Sequence, residues 1–546
     1  MMKKFVKIFV LVVLTLMVAC NGRVSWPDRI TGSAEAGTWV KYGALEQLQP
    51  VAPTNANGGF EITRADTWFE MGFAEWVAEQ DGQRFEVEIS RAGGAWEPVD
   101  WQLIRLLDAE SRLYRVDVQG LANTGDTYRL QINQLGAGGV SRITDDLMPK
   151  AFDRQGYAFD GQRTGGGYND DGTVRPGTEI LYVTHGNMND VLTNMRFPFS
   201  TTPNPNLNSN LIVRFIGQVG DIAFVGDRDQ IPLAAKYNRQ DNTQLNAVRM
   251  MALRGANNVT FEGVGPDALI YGWGFQLHTS FNVVVRNLHF DMFFEDAASV
   301  HGGISTAAAP DITGSTHTWI DHNVFYYGQD SRHLPGRDQD HNKGDGATDF
   351  TNRTSHFTVS YNHYSHSGKS MLLGNNLTDF IGFGTVHHNW FDETDQRTPR
   401  VRNGSVHVFN NIYEDVKGYG IAAGHLSDII AEGNTFIAGR RPFMISGQGS
   451  AMSGGSNALS QDFPGAIITS TVDNASFWVL GRTLVPNSFS VATYVLGEDV
   501  GAINVNHMGA YTFESFDPTS TLSSIGVQPV GIAVARVRNE AGTMRW

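Results

Sequence analysis

A chain of 546 residues is longer than one hydrophobic core usually organises, so two ordered units behind a processed leader are expected. Sixty glycines against nineteen prolines, with 41% hydrophobic residues, fit a turn-rich β protein and not a disordered one. A formal charge of −15 argues against nucleic acid as a partner, and a single cysteine excludes a disulfide framework.

Lys3, Lys4 and Lys7 precede an apolar run to Met17 that is too short to span a bilayer, and Val18, Ala19 and Cys20 place small residues at a cut site. The pattern predicts an export signal over residues 1–19. LMVAC resembles a bacterial lipoprotein box, which implies lipidation of Cys20; the alternative is ordinary cleavage after Ala19 with an incidental thiol. The expected location is the cell envelope, at the outer membrane or cell surface, with membrane contact only through the lipid; without lipidation the chain is secreted. Loss of the leader removes three lysines and no acid, taking the formal charge from −15 to −18. A polyanion then has to bind at a locally basic groove.

Residues 20–35 read as a polar tether. Over residues 36–145, short alternating runs such as RFEVEIS, LYRVDVQGL and TYRLQIN are separated by DGQ, RAGG and NTGD turns, which predicts a small antiparallel sandwich. YRVDVQGLANTGDTYRLQIN resembles the last two strands of a fibronectin type III module. No constellation of ionisable residues occurs here, so residues 36–140 read as dispensable for chemistry.

Residues 146–546 form the second unit. Asparagine followed by apolar or aromatic residues recurs at Asn287, Asn323, Asn362, Asn389, Asn411 and Asn434, the last three intervals being 27, 22 and 23 residues. A period in the low twenties built of short alternating strands predicts a parallel β-helix, since a leucine-rich repeat would need a leucine ladder that is absent. The asparagines are assigned to turns, where Asn tolerates left-handed backbone and stacks on its neighbours. GQGSAMSGGSN lacks the ending of a phosphate loop and reads as a plain loop, and IAVARVRNEAGTMRW reads as a short helix closing one end of the solenoid.

The chemistry concentrates in residues 345–413. Strand alternation returns a side chain to the same face after four residues, so Asp345 and Asp349 can share a cation. Lys369, Arg397, Arg400 and Arg402 follow in an otherwise acidic chain. A carboxylate pair beside a basic cluster suits a calcium-assisted site for an anionic polymer.

WIDHN at 319–323, KGDGATD at 343–349, SYNHYSHSGKSMLLG at 360–374, HHNWFD at 387–392 and QRTPRVRNGSVHVFNN at 396–411 resemble, in order and spacing, the motifs of polysaccharide lyase family one, the pectate lyases. The resemblance extends from about 150 to about 450. It implies a right-handed parallel β-helix, a Ca2+ cofactor and β-elimination on polygalacturonate; the chain is expected to act as a monomer. Carried over by motif, Asp296, Asp345 and Asp349 are calcium ligands, Arg397 is the proton-abstracting base, and Lys369 and Arg402 hold substrate carboxylates. Alternation places Arg397 on the face opposite Arg400 and Arg402, so a turn near Pro399 has to break the register.

Other readings compete. DQDHNKGDGATD resembles a helix-loop-helix calcium loop but carries Lys343 where glycine is required and lacks helical flanks. Asp345 and Asp349 could serve a β-helical glycoside hydrolase of uronans. His363, His366, His387 and His388 could bind zinc, although turn packing is the plainer account. The arginines could pair with Asp392, Glu393 and Asp395 as a surface ladder. A surface glycan-binding protein without catalysis is the non-enzymatic alternative.

Overall fold

The computed structural model describes residues 59–188, 191, 209–220, 250–301, 316–326, 346–375, 381–437, 442–446 and 526–544, with gaps at 137, 162–164, 292, 294–297 and 425–426, and separate strands between 460 and 507. The leader, Cys20, the tether, Asp296, Asp345 and the loop at 447–457 lie outside the described residues. The chain divides into Met1–Lys41 and Tyr42–Trp546, and the second unit contains every described residue. Among the described residues no helix is long and apolar enough to cross a membrane.

The first part is an antiparallel sandwich of β1 (Phe60–Thr67), β2 (Met71–Ala78), β3 (Phe85–Arg91), β4 (Trp96–Pro98), β5 (Ile104–Asp108), β6 (Leu113–Gln119), β7 (Tyr128–Gln134) and β8 (Ser141–Ile143). One sheet runs β1-β2-β6-β5 and the other β4-β3-β7-β8, the strand order of immunoglobulin-like sandwiches. In β7 the alternation seen in the sequence becomes geometry, with Tyr128, Leu130 and Ile132 buried on one face. Ala122 N donates to the Tyr128 hydroxyl at 2.9 Å, the corner contact that fixes the β6-to-β7 crossing. The two runs read as final strands are therefore β6 and β7, in opposite sheets, with β8 still to follow. Their similar alternation does not reveal which sheet each joins.

The sandwich is not a separable bead. Ile216 and Val264 of the solenoid belong to its buried core, and Phe69, Met71 and Phe73 pack with Phe152, Val284, Trp319 and Met544. Arg105, almost wholly buried, pairs with Asp117 at 2.5 Å within the sandwich and with Asp267 of the solenoid. Gly265 permits this approach: its φ is +72°, and a Cβ there would lie 2.3 Å from the Arg105 guanidinium.

The second part is a parallel solenoid with three walls. One wall is a ten-stranded sheet that includes Gly274–His278, Ala298–His301, Phe350–Thr351, Leu372–Leu373, Arg400–Val401 and Ile421–Ala423. A second stacks Phe281–Arg286, Thr316–Asp321, Ser355–Ser360, Phe383–His387 and Ser405–Phe409, and a third stacks His289–Asp291, Val324–Tyr326, His363–Ser365, Trp390–Asp392 and Ile412–Glu414.

The repeated asparagine–aromatic motif explains the stacking. The backbone N–H of Asn323, Asn362, Asn389 and Asn411 each donates to the side-chain oxygen of the next asparagine, at 3.0, 2.9, 2.9 and 3.1 Å. Two residues after each of Asn323, Asn362, Asn389, Asn411 and Asn434, and three after Asn287, the aromatic points inward, so Phe290, Phe325, Tyr364, Phe391, Tyr413 and Phe436 form a ring stack with centroid spacings from 4.3 to 5.2 Å. Except at Asn287, the left-handed residue is the one before the ladder asparagine: His322, Tyr361, His388, Asn410 and Gly433. The amide needs ordinary backbone to aim along the stack, so the preceding residue takes the turn.

The helix Val530–Glu540 does not close an end of the solenoid. Val537 and Ala541 pack beside Ile412, Trp390 and Ile437, and the strap around the helix crosses coil after coil. Gln528 N donates to Asn410 Oδ1 at 2.7 Å, Gly542 N to the Tyr361 carbonyl at 2.7 Å, and Met544 N to Asn287 Oδ1 at 2.8 Å. An amphipathic segment covers the turn edge better than an end because that edge is lined with buried rings and amides.

Candidate active site

Three successive rungs of the ten-stranded sheet carry the candidate residues. Phe350 pairs with Leu373, and Leu372 with Arg400, so Asp349, Leu372 and Arg400 occupy adjoining positions. Parallel strands lie about 4.8 Å apart, which sets Asp349 and Arg400 roughly 10 Å apart along the stack. Lys369 stands earlier on the middle rung, bridged in parallel to Gln396, and its carbonyl accepts from Gly346 N at 2.9 Å.

Asp349 is half-buried, and its Oδ1 accepts the backbone N–H of Leu372 at 2.8 Å. Gly346, at φ +69°, lets the carboxylate fold back: a Cβ there would meet Asp349 Oδ2 at 2.5 Å. The chain then enters the strand Phe350–Thr351 directly, so no helix follows Asp349, contrary to a helix-loop-helix site.

Arg397 lies outside the strand Arg400–Val401 and has a left-handed φ of +61°. Strand alternation therefore does not apply to it, which resolves its conflict of face with Arg400 and Arg402. The Thr398–Pro399 peptide is cis. Met371 N donates to the Arg397 carbonyl at 2.6 Å, and Arg402 N to the Leu373 carbonyl at 2.7 Å, so the arginine segment is laced to the rung that begins at Lys369. Arg402 Nη1 donates to the carbonyls of Asn375 at 3.0 Å and Gly374 at 3.3 Å.

The three arginines act on one another. Burial, joined by repulsion from Arg400 and Arg397, holds the Arg402 guanidinium below its ordinary value. Burial also lowers Arg400, with Tyr419 opposing and Arg397 adding to the shift. Arg400 is only 4% exposed, which is incompatible with a solvated surface ladder. Asp392 and Glu393 approach His363 at 3.2 Å and His366 at 3.5 Å.

The motifs assign no role to Arg400 or Tyr419. The period could have found Tyr419: Thr398 N donates to the Gly420 carbonyl, 22 residues on, so Tyr419 belongs to the next coil beneath the arginines.

The histidines are wall components. His363 stacks on Trp390 at 4.4 Å, His387 on Phe409 at 4.9 Å, and His322 and His388 sandwich Tyr361 at 4.8 Å on each side. Among the described residues, Asp153, His387 and His388 are the one trio of metal-type side chains close enough to share an ion. A cation already stands there, because Arg536 donates to Asp153 at 3.1 Å.

Fold and site together define a parallel β-helix presenting an acid and a cationic cluster along one wall. A family model described as Pectate lyase matches residues 228–487. The chain is 36% identical over 172 residues to a pectate lyase of Bacillus subtilis, covering 29% of this chain and 40% of that protein. It is 27% identical over 244 residues to a pectate trisaccharide-lyase of Bacillus licheniformis, covering 42% of this chain and 66% of that protein. A solved pectate lyase from Bacillus sp. N165, in complex with trigalacturonate, has 21% identity and a TM-score of 0.46, covering 72% of this chain and 99% of that one. The matches thus span less than two thirds of these curated relatives' own lengths. They support assignment of the chain to the pectate lyase family.

Proposed function

We propose that the chain is a pectate lyase, a carbon–oxygen lyase that cleaves polygalacturonate by calcium-dependent β-elimination. The observation that carries this reading is the register of Asp349, Lys369 and the Arg397–Arg402 segment on successive rungs of one sheet. A chain of uronic acids laid along that wall meets a metal-type oxygen donor and then cations, each about one strand spacing further on.

The residues fit calcium. Asp349 offers hard carboxylate oxygens at a half-buried position already oriented by Leu372 N, and Asp345 and Asp296 are the further ligands in this reading. When bound, calcium supplies positive charge that makes the proton next to a substrate carboxylate more acidic. Lys369 and Arg402 hold substrate carboxylates, and Arg397 accepts that proton at a guanidine nitrogen. The electron pair left behind becomes a carbon–carbon double bond as the bond to the glycosidic oxygen breaks, and that oxygen leaves with a proton from solvent. The products are unsaturated oligogalacturonates.

Lipidation of Cys20 would hold this activity at the cell envelope. Purified protein incubated with polygalacturonate, with and without a chelator, tests the reading: ultraviolet-absorbing ends should accumulate only with calcium. Reducing ends without that absorbance would mean hydrolysis, and binding without either product would mean a glycan-binding protein.

A further inference from the structure

A polar cavity lies away from the arginine wall. It has a volume of about 600 Å³ and is lined by Phe159, Phe281, Asn169, Asp170, Arg175 and Asn258, among others. That size falls within the range of ligand sites, which combine aromatic walls with a few convergent polar groups. Its position is set by the starts of Asn257–Tyr271 and Phe281–Arg286 together with the glycine-rich segment before residue 179.

Several groups in it are fixed before any ligand arrives. Asn282, 3% exposed, accepts from the backbone of Gly165 at 3.1 Å and Gly166 at 3.0 Å, and donates to Asn258 Oδ1 at 2.7 Å. Asn258 in turn donates to Asn210 at 2.9 Å, so a ladder of amides holds it at the cavity wall. Asn169 donates to Thr173 Oγ1 at 3.0 Å, and Arg175 Nε donates to the Tyr168 carbonyl at 2.7 Å, which orients its guanidinium plane. Phe281 is 38% exposed although its edge is braced by His317 at a centroid distance of 5.2 Å. Phe159 is braced in the same way by Trp319 at 5.1 Å.

We infer that this cavity is a second saccharide site, separate from the catalytic wall, that takes a short stretch of the acidic polymer. Pyranose rings present C–H faces to aromatic rings and hydroxyls to amides and carboxylates, and a uronic carboxylate suits an oriented guanidinium. The lining holds two aromatic rings, three amides, one carboxylate and one guanidinium. Among the described lining residues Arg175 is the one cation, and it stands with Asp170, a poor match for a polyphosphate, which would need several cations. The identity of the sugar rests on the lyase reading above, whereas the cavity and its donors do not. Among the described lining residues only Asp170 is a carboxylate, so binding by these groups needs no calcium.

The test uses the full chain carrying Arg397→Ala, titrated calorimetrically with oligogalacturonate in excess chelator. Saturable binding is expected, weakened at least tenfold by adding Phe281→Ala and again by Arg175→Gln, with the melting temperature of each variant unchanged. In the otherwise native chain, Phe281→Ala should leave calcium-dependent cleavage of trigalacturonate intact and slow cleavage of the polymer. Absence of chelator-resistant binding, or binding indifferent to both substitutions, overturns the second site. Failure of the lyase reading is seen separately, as no unsaturated product from the native chain with calcium.

Discussion

Leu372 N donates to Asp349 Oδ1 at 2.8 Å, tying the acid of one coil to the backbone of the next. The same Leu372 faces Arg400 across the following rung, so a single leucine backbone links the proposed metal end of the site to the arginine end.

Asp349→Asn separates the two functions of that carboxylate. The amide oxygen can still accept from Leu372 N, so the melting temperature should stay within a degree or two. Loss of the charge should lower turnover at least tenfold, equivalent to about 1.4 kcal/mol, with partial recovery at high calcium. A variant that loses stability and activity together, without recovery, would make Asp349 a fold residue.

The sandwich should resist removal. Arg105→Ala leaves the buried Asp117 facing only Arg115 and strips Asp267 of its partner, a change that costs on the order of 3–5 kcal/mol when one member of a buried pair is lost. A chain starting near residue 146 would also expose Ile216, Val264 and Trp319. Chemical denaturation of Arg105→Ala and solubility of the shortened chain check this. A shortened chain that melts like the full one would restore the sandwich to a dispensable module.

Acid should loosen the solenoid before it protonates most carboxylates. Burial pushes His289 and His388 down to about 4 from an ordinary 6.5, and His387 well below 6.5. The unfolded chain therefore binds more protons between those values, and stability contributed by the neutral rings is full above 6.5 and lost as pH falls toward 4. Melting temperature should decline through that window, and His289→Gln should make the decline shallower. A flat profile from pH 7 to pH 4 would contradict the neutral, buried rings.

Cys20→Ser tests the anchor. The native chain should fractionate with membranes and the variant should be released, whereas identical soluble behaviour of both would remove lipidation from the account.

The solenoid was legible because one motif encodes two ladders. The asparagine supplies the amide column, and the aromatic two residues later supplies the ring column, so period and inward face were both visible. What was hidden depended on neighbours one coil away. Asn389 carries no sign that His388 takes the left-handed turn on its behalf. The strap looked like an end cap because sequence shows its apolar residues but not the turn edge they cover. In the site, residue types and order were readable, while the escape of Arg397 from strand alternation rests on a φ of +61° that no pattern announced. The union of sandwich and solenoid was invisible because Arg105 and Asp267 are 162 residues apart.

The most direct test of the central claim is to measure binding and turnover of polygalacturonate by Arg397→Ala side by side with the native chain, in calcium. Lys369, Arg402 and Asp349 remain, so binding should stay within a few-fold of native. Loss of a proton-transfer group commonly costs about a hundredfold to ten-thousandfold, so formation of unsaturated ends should fall by that much, and no concentration of calcium should restore it. Near-native turnover in this variant would contradict the account.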